Sequence, residues 1–239
     1  KLASKNRRKI VLPEGNDLRV LQAIEILQKQ NLVDLILLGN KQEIDALAKS
    51  GRKGSAAQAE KILADMERRN EKGERDCKPS TVTYSAVINA LAKSGEPERA
   101  EAVLRNMLNR FLRGEDDVAP NTISFNSVID AWANSSDERG PARAEQIMRK
   151  MDELSKLGDQ DLQPNTMAFN AVINAYAKSG EKGSASKTEQ LLAEMEQRSQ
   201  KEIHLKPNTI TYSTLKIIKI PTEYHNGIKN KIRRTVKTS

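Results

Sequence analysis

Apolar residues along this chain fall into short stripes that return at a nearly fixed interval. Runs such as Val87-Ile88-Asn89-Ala90-Leu91 and Val172-Ile173-Asn174-Ala175-Tyr176 have helical character, and a Lys-Ser-Gly type stop follows them. A second amphipathic stretch comes next, as in Ala100 to Met107 and Thr188 to Met195. One unit therefore reads as a helical hairpin with a short turn. The same phrase opens each hairpin: Pro79-Ser80-Thr81-Val82-Thr83-Tyr84-Ser85, Pro120-Asn121-Thr122-Ile123-Ser124-Phe125-Asn126, Pro164-Asn165-Thr166-Met167-Ala168-Phe169-Asn170 and Pro207-Asn208-Thr209-Ile210-Thr211-Tyr212-Ser213. Its prolines stand 41, 44 and 43 residues apart, a period that predicts a stacked repeat array. Three complete units span about 81–121, 122–165 and 166–208. A unit lacking the start of its first helix precedes them, and an unfinished one follows.

This spelling resembles the pentatricopeptide repeat family. The resemblance rests on the Thr-x-Thr/Ser/Ala-Tyr/Phe opening, the Val/Ile-Ile-Asn/Asp-Ala of the first helix, and Ala-Glu-x-x-Leu/Ile-x-x-Met in the second. The last appears as Ala59-Glu60 to Met66, Ala100-Glu101 to Met107 and Ala144-Glu145 to Met151, with Thr188-Glu189 to Met195 a slight departure. It implies an all-α solenoid of stacked helix pairs over about residues 44–215 that binds single-stranded RNA without catalysis. The units here are longer than the family's, with extra polar residues at 109–118, 155–162 and 199–205. These read as longer second helices and connecting loops.

The two ends depart from the repeat. Lys9-Ile10-Val11-Leu12-Pro13 is a short apolar run. Asp17 can cap a helix to about Gln30 with Val20, Leu21, Ile24 and Leu27 on one face. Val33 to Leu38 is a second run of strand length, so a right-handed βαβ unit is expected. The text Arg8-Lys9-Ile10-Val11-Leu12-Pro13-Glu14-Gly15, Arg19-Val20-Leu21 and Ile36-Leu37-Leu38-Gly39-Asn40 resembles the amino-terminal end of phosphate acetyltransferases. That family's catalytic residues lie far downstream of such an opening, so none is carried over. Residues 44–51 (Ile44 to Gly51) match residues 88–95 at seven of eight positions, and upstream of Glu43 the match stops. Lys216 falls where other copies have Ile88, Ile129 and Ile173. The expected domains are thus 1–43, a βαβ fragment; 44–215, the array; and 216–239, a basic tail. A fused gene, an engineered joint and a misread gene boundary would all read this way.

Composition changes the picture only in part. The formal charge is +8, but residues 1–49 carry 9 basic and 6 acidic side chains, residues 216–239 carry 7 and 1, and the stretch between holds 24 and 25. The array is near neutral, so charge alone argues weakly for phosphate attraction. Lys229, Lys231, Arg233, Arg234 and Lys237 are the densest basic cluster. Cys77 is the single cysteine of the sequence, which excludes an intrachain disulfide framework and reads as an incidental thiol. His204 and His225 are too few for a metal site, and no apolar run approaches the roughly 20 residues that span a bilayer. No phosphate loop, paired-histidine zinc motif or nucleophile with a histidine partner is present. No catalytic residue, cofactor or metal is expected.

Candidate contacts lie inside the repeated phrase. By the resemblance, one base per repeat is read by the residue after the opening Tyr/Phe together with the residue before the next opening Thr. These pair as Ser85 with Asn121, Asn126 with Asn165, and Asn170 with Asn208; Ser213 holds the first of these positions in the last copy. Val82, Ile123, Met167 and Ile210 would wedge against the base plane. Ser/Asn favours adenine in the family and Asn/Asn a pyrimidine, usually cytosine over uracil. With repeats running parallel to RNA, the expected core is 5′-A-Y-Y-3′. Plainer readings stand beside these. Asn121, Asn165 and Asn208 lie where a turn residue or N-cap would. Ser85, Asn126 and Asn170 are polar at a helix start, which suits solvation, since burial would call for an apolar residue. Trp132 reads as core, and Asp116-Asp117 and the second-helix glutamates as solvated faces. The resemblance places such proteins in organelle RNA processing or stability, in mitochondrion or plastid. A protein-binding scaffold like the tetratricopeptide arrays is the alternative, lacking here that family's Trp, Leu-Gly and Tyr spacing. An inactive phosphate acetyltransferase fragment is the third option.

Overall fold

The computed structural model describes residues 8–12, 33–37, 44, 47, 54–73, 77–157, 162–202 and 205–214. They divide into two compact units, residues 1–90 and 91–239, each considered by itself.

In the first unit, strands β1 (Arg8–Leu12) and β2 (Val33–Leu37) pair in parallel, with Arg8 opposite Val33 and Leu12 opposite Leu37. The helix expected from Asp17 to Gln30 lies outside the described residues, so no βαβ segment is seen. Helix α1 (Ser55–Glu71) buries Ala56, Ala59, Leu63 and Met66, one stripe at steps of three and four. Helix α2 (Thr81–Lys93) opens the first complete repeat, and the Tyr84 hydroxyl donates to Glu67. Cys77 is buried at the approach to α2 rather than sitting in an open loop.

The second unit is helical throughout its described elements. Helix α3 (Pro97–Leu112) starts on a proline whose missing N–H would have had no intrahelical partner. Then come α4 (Thr122–Ala133), α5 (Gly140–Lys156), α6 (Thr166–Ser179), α7 (Ser184–Arg198) and α8 (Thr209–Thr214). Helices α4 and α5 form one hairpin and α6 and α7 the next. Gly180, at φ 65°, ends α6 in the left-handed conformation that a glycine takes without steric cost. First helices of successive repeats lie side by side, α4 against α6 and α6 against α8, while α3 and α5 pack on the first helix that follows each. The stacking buries Phe125, Val128, Ile129 and Trp132 from α4, and Phe169, Val172, Ile173 and Tyr176 from α6. Met107, Met151 and Met195, which close the second-helix pattern, are completely buried. The unbranched, flexible thioether side chain fills such irregular gaps between helices.

Candidate nucleic-acid interface

Exposure of apolar groups is where this array departs from a simple core-and-surface rule. Val82, Ile123, Met167 and Ile210 are 48%, 64%, 62% and 61% exposed. Each holds the second position of a first helix, so the same site in every repeat presents a hydrophobic side chain to solvent. Three residues on stands Ser85, Asn126, Asn170 or Ser213, a neighbour on the same helix face.

The pair positions come together wherever both members fall in the second unit. Asn126 Nδ2 donates to Asn165 Oδ1 at 3.5 Å, and Asn170 Nδ2 donates to Asn208 Oδ1 at 3.3 Å. Each bond links the first helix of one repeat to the start of the next. Ser213 lies on α8, exposed, its hydroxyl returned to the carbonyl of Ile210. Ser85 and Asn121 belong to different units. Ser85 and Asn126 are each only 8% exposed, so solvation does not explain their polarity. For Asn126 the reason is local: the next repeat's Asn165 packs onto it, and the amide is buried against another polar group.

Capping and pairing coincide on the same side chains. Asn121 Oδ1 accepts from the Ser124 backbone N–H at 2.9 Å while Ser124 Oγ receives the Asn121 N–H, a reciprocal capping box. Asn165 Oδ1 accepts from Met167 and Ala168, and Asn208 Oδ1 from Ile210 and Thr211, at 3.0–3.1 Å. In the second unit the caps hold the Asn165 and Asn208 amides against Asn126 and Asn170 of the repeat before.

Comparison with known families matches this geometry. The "PPR repeat" model matches residues 82–110, and the "Pentatricopeptide repeat domain" model matches 115–179 and 147–220. Residues 82–220 are pentatricopeptide repeats. A "Phosphate acetyl/butaryl transferase" model matches residues 1–92. Phosphate acetyltransferase of Thermoanaerobacterium thermosaccharolyticum is 52% identical over 42 residues, 18% of this chain. The chain spans only 13% of that enzyme's length. The transferase-like match overlaps the pentatricopeptide match between residues 82 and 92.

Pentatricopeptide repeats imply RNA binding in general, and the family is commonly organellar. Among the described residues no helix is long and apolar enough to cross a membrane, and no group of His, Cys, Asp and Glu could hold a metal ion. The basic cluster at 229–237 and both histidines lie outside the described residues. Asp116 and Asp117 are exposed in a short 3-10 turn (Asp116–Val118).

The second-helix glutamates require a correction. Glu101 accepts from Trp132 Nε1 at 2.8 Å and from Arg143, and Glu145 accepts from the Tyr176 hydroxyl at 2.8 Å, with Lys187 at 3.1 Å. Neither is a solvated face; each is a nearly buried acceptor between consecutive repeats. Arg139 and Arg143 also lie over the Trp132 ring, at 5.8 and 5.7 Å from its centroid. The signal was present in the spacing, since Trp132 and Tyr176 both follow their glutamate by 31 residues. Burial, reinforced by Glu145, pushes the Tyr176 phenol well above its usual range, and burial with Glu196 pushes Tyr212 up to about 12.

Proposed function

We propose that this chain binds single-stranded RNA selectively, one base per repeat, without catalysis, and serves organelle RNA processing or stability. The observation that carries the reading is the repeated pairing of an exposed apolar residue with a polar pair that bridges two repeats. Ile123 and Met167 offer surfaces on which a base plane can rest, and Asn126/Asn165 and Asn170/Asn208 offer amide donors and acceptors beside them. Isolated exposed hydrophobics need no explanation, but a row of them at one repeat position does. In this reading residues 44–215 form the array, Ser85 with Asn121 reads adenine, and the two Asn/Asn pairs each read a pyrimidine. Residues 1–43 are a fragment of transferase-like text, and residues 216–239 add non-specific phosphate attraction.

Anisotropy titration of the full chain against short RNAs built on 5′-A-Y-Y-3′, with duplex and scrambled single strands as comparisons, tests it. Tighter binding to the matched single strand supports the reading. Equal, salt-sensitive binding to all three would reduce the interaction to charge.

A further inference from the structure

Two pairs with the same residues are built differently. Asn170 Oδ1 accepts from the Thr211 hydroxyl at 2.6 Å, while its amide nitrogen donates to Asn208. The equivalent of Thr211 beside Asn126 is Ala168: each stands three residues after the capping asparagine, Asn208 or Asn165. Ala168 has no hydroxyl. Among the described residues, Asn126 Oδ1 is the one buried side-chain polar atom left without a hydrogen bond. Its orientation is dictated by its neighbour, because Asn165 Oδ1 already faces the N–H groups of Met167 and Ala168 and can only accept. Asn126 must therefore offer nitrogen to Asn165 and leave its oxygen over.

Resting on the base-reading function above, we propose that the third residue of each first helix is a positioning residue that sets which edge of the preceding asparagine meets the base. Thr211 engages the Asn170 carbonyl while Asn208 takes one amide N–H, so Asn170 is held at both ends and its second N–H is left for the ligand. Ala168 leaves Asn126 held by one long 3.5 Å bond with its carbonyl unpaired. A small turn of that amide brings the oxygen to the face carrying Ile123, where it accepts from a base amine. Cytosine carries an amine at the position where uracil carries a carbonyl oxygen, so the Asn126/Asn165 site favours cytosine over uracil more strongly than the Asn170/Asn208 site does. An unsatisfied buried acceptor is costly in the free protein, and an amine donor from the ligand relieves that cost.

The test measures binding of the full chain to RNAs carrying C or U at the middle or the 3′ pyrimidine. Ala168→Thr should lower the C:U preference at the middle position by about two- to tenfold, the range for one hydrogen bond, and leave the 3′ position alone. Ala168→Val fills the same volume without a hydroxyl and should leave the ratio as in the parent chain. Thr211→Val should raise the C:U preference at the 3′ position, and decides the matter if the Ala168 variants do not fold. Equal shifts in the Thr and Val variants, or no shift in any variant, overturn the inference. Asn126→Ala separates the two levels. If it abolishes middle-base discrimination while the third-position variants change nothing, only this inference falls. If it leaves base preference untouched, the base-reading function falls with it.

Discussion

The indole N–H of Trp132 is bonded to Glu101 at 2.8 Å, tying the first helix of one repeat to the second helix of the repeat before it. Glu101 also receives Arg143, so its carboxylate satisfies two buried or half-buried donors on the neighbouring repeat. Glu101→Ala strands the buried indole N–H and leaves Arg143 with Gln146, and should cost about 1–3 kcal/mol by chemical denaturation. Glu101→Gln keeps an acceptor for the indole and should cost clearly less. Equal losses in the two variants would mean the carboxylate contributes through charge alone.

Gly140 sits in the first turn of α5 with its Cα pressed against the preceding helix end. A Cβ there would lie 2.6 Å from the Trp132 carbonyl oxygen and 2.8 Å from Ser135 Oγ. Alanine is the better helix former, yet Gly140→Ala should destabilise by about 1–3 kcal/mol, because the carbonyl belongs to backbone and cannot swing aside. A variant at least as stable as the parent in thermal melts would show that the α4–α5 turn yields.

The tyrosines set an alkaline limit. Tyr176 and Tyr212 have folded-state values raised above the ordinary phenol value of about 10. The unfolded chain ionises first, so their contribution to stability is intact below about pH 10 and is lost as pH rises towards and past 12. Phenolate absorbance should therefore lag behind free tyrosine and then rise together with loss of helicity. Ionisation of these two residues near pH 10 with helicity retained would contradict the burial assigned to them.

Asn165 serves as cap and as pair member, and the two roles can be separated. Asn165→Asp keeps the acceptor that Met167 and Ala168 use, so stability should change by less than about 0.5 kcal/mol, aspartate being as good a cap as asparagine. It removes the amide donor, so base preference at the middle position should change. Preserved stability with preserved base preference would leave Asn165 as a cap alone.

How much of this was legible in the chain depends on whether the signal repeats. The Thr-x-Thr/Ser/Ala-Tyr/Phe opening recurs, so the hairpins, the row at Val82, Ile123, Met167 and Ile210, and the positions of Asn126, Asn165, Asn170 and Asn208 are legible in the sequence. The Glu101–Trp132 and Glu145–Tyr176 couplings are not legible in the sequence, because a glutamate on a helix face is ordinarily solvated. Only the stacked geometry puts an aromatic N–H or O–H opposite it. The burial of Asn126 is hidden for a similar reason: the residue that buries it lies 39 positions on, in the next repeat. The unpaired oxygen there depends on a single substitution, Ala168 for a hydroxyl residue, whose meaning appears only beside the Thr211–Asn170 bond.

The central claim is that paired positions read bases one by one, and Ser85 is where it can be tested most directly. Ser85→Asn converts the first pair, with Asn121, from Ser/Asn to Asn/Asn. Binding of the variant to RNAs varied at each of three positions should shift the 5′ preference from adenine to a pyrimidine, with the middle and 3′ preferences unchanged. Affinity that falls evenly for every RNA, with no change of preference at the 5′ base, would contradict it and leave Ser85 as a residue of the fold.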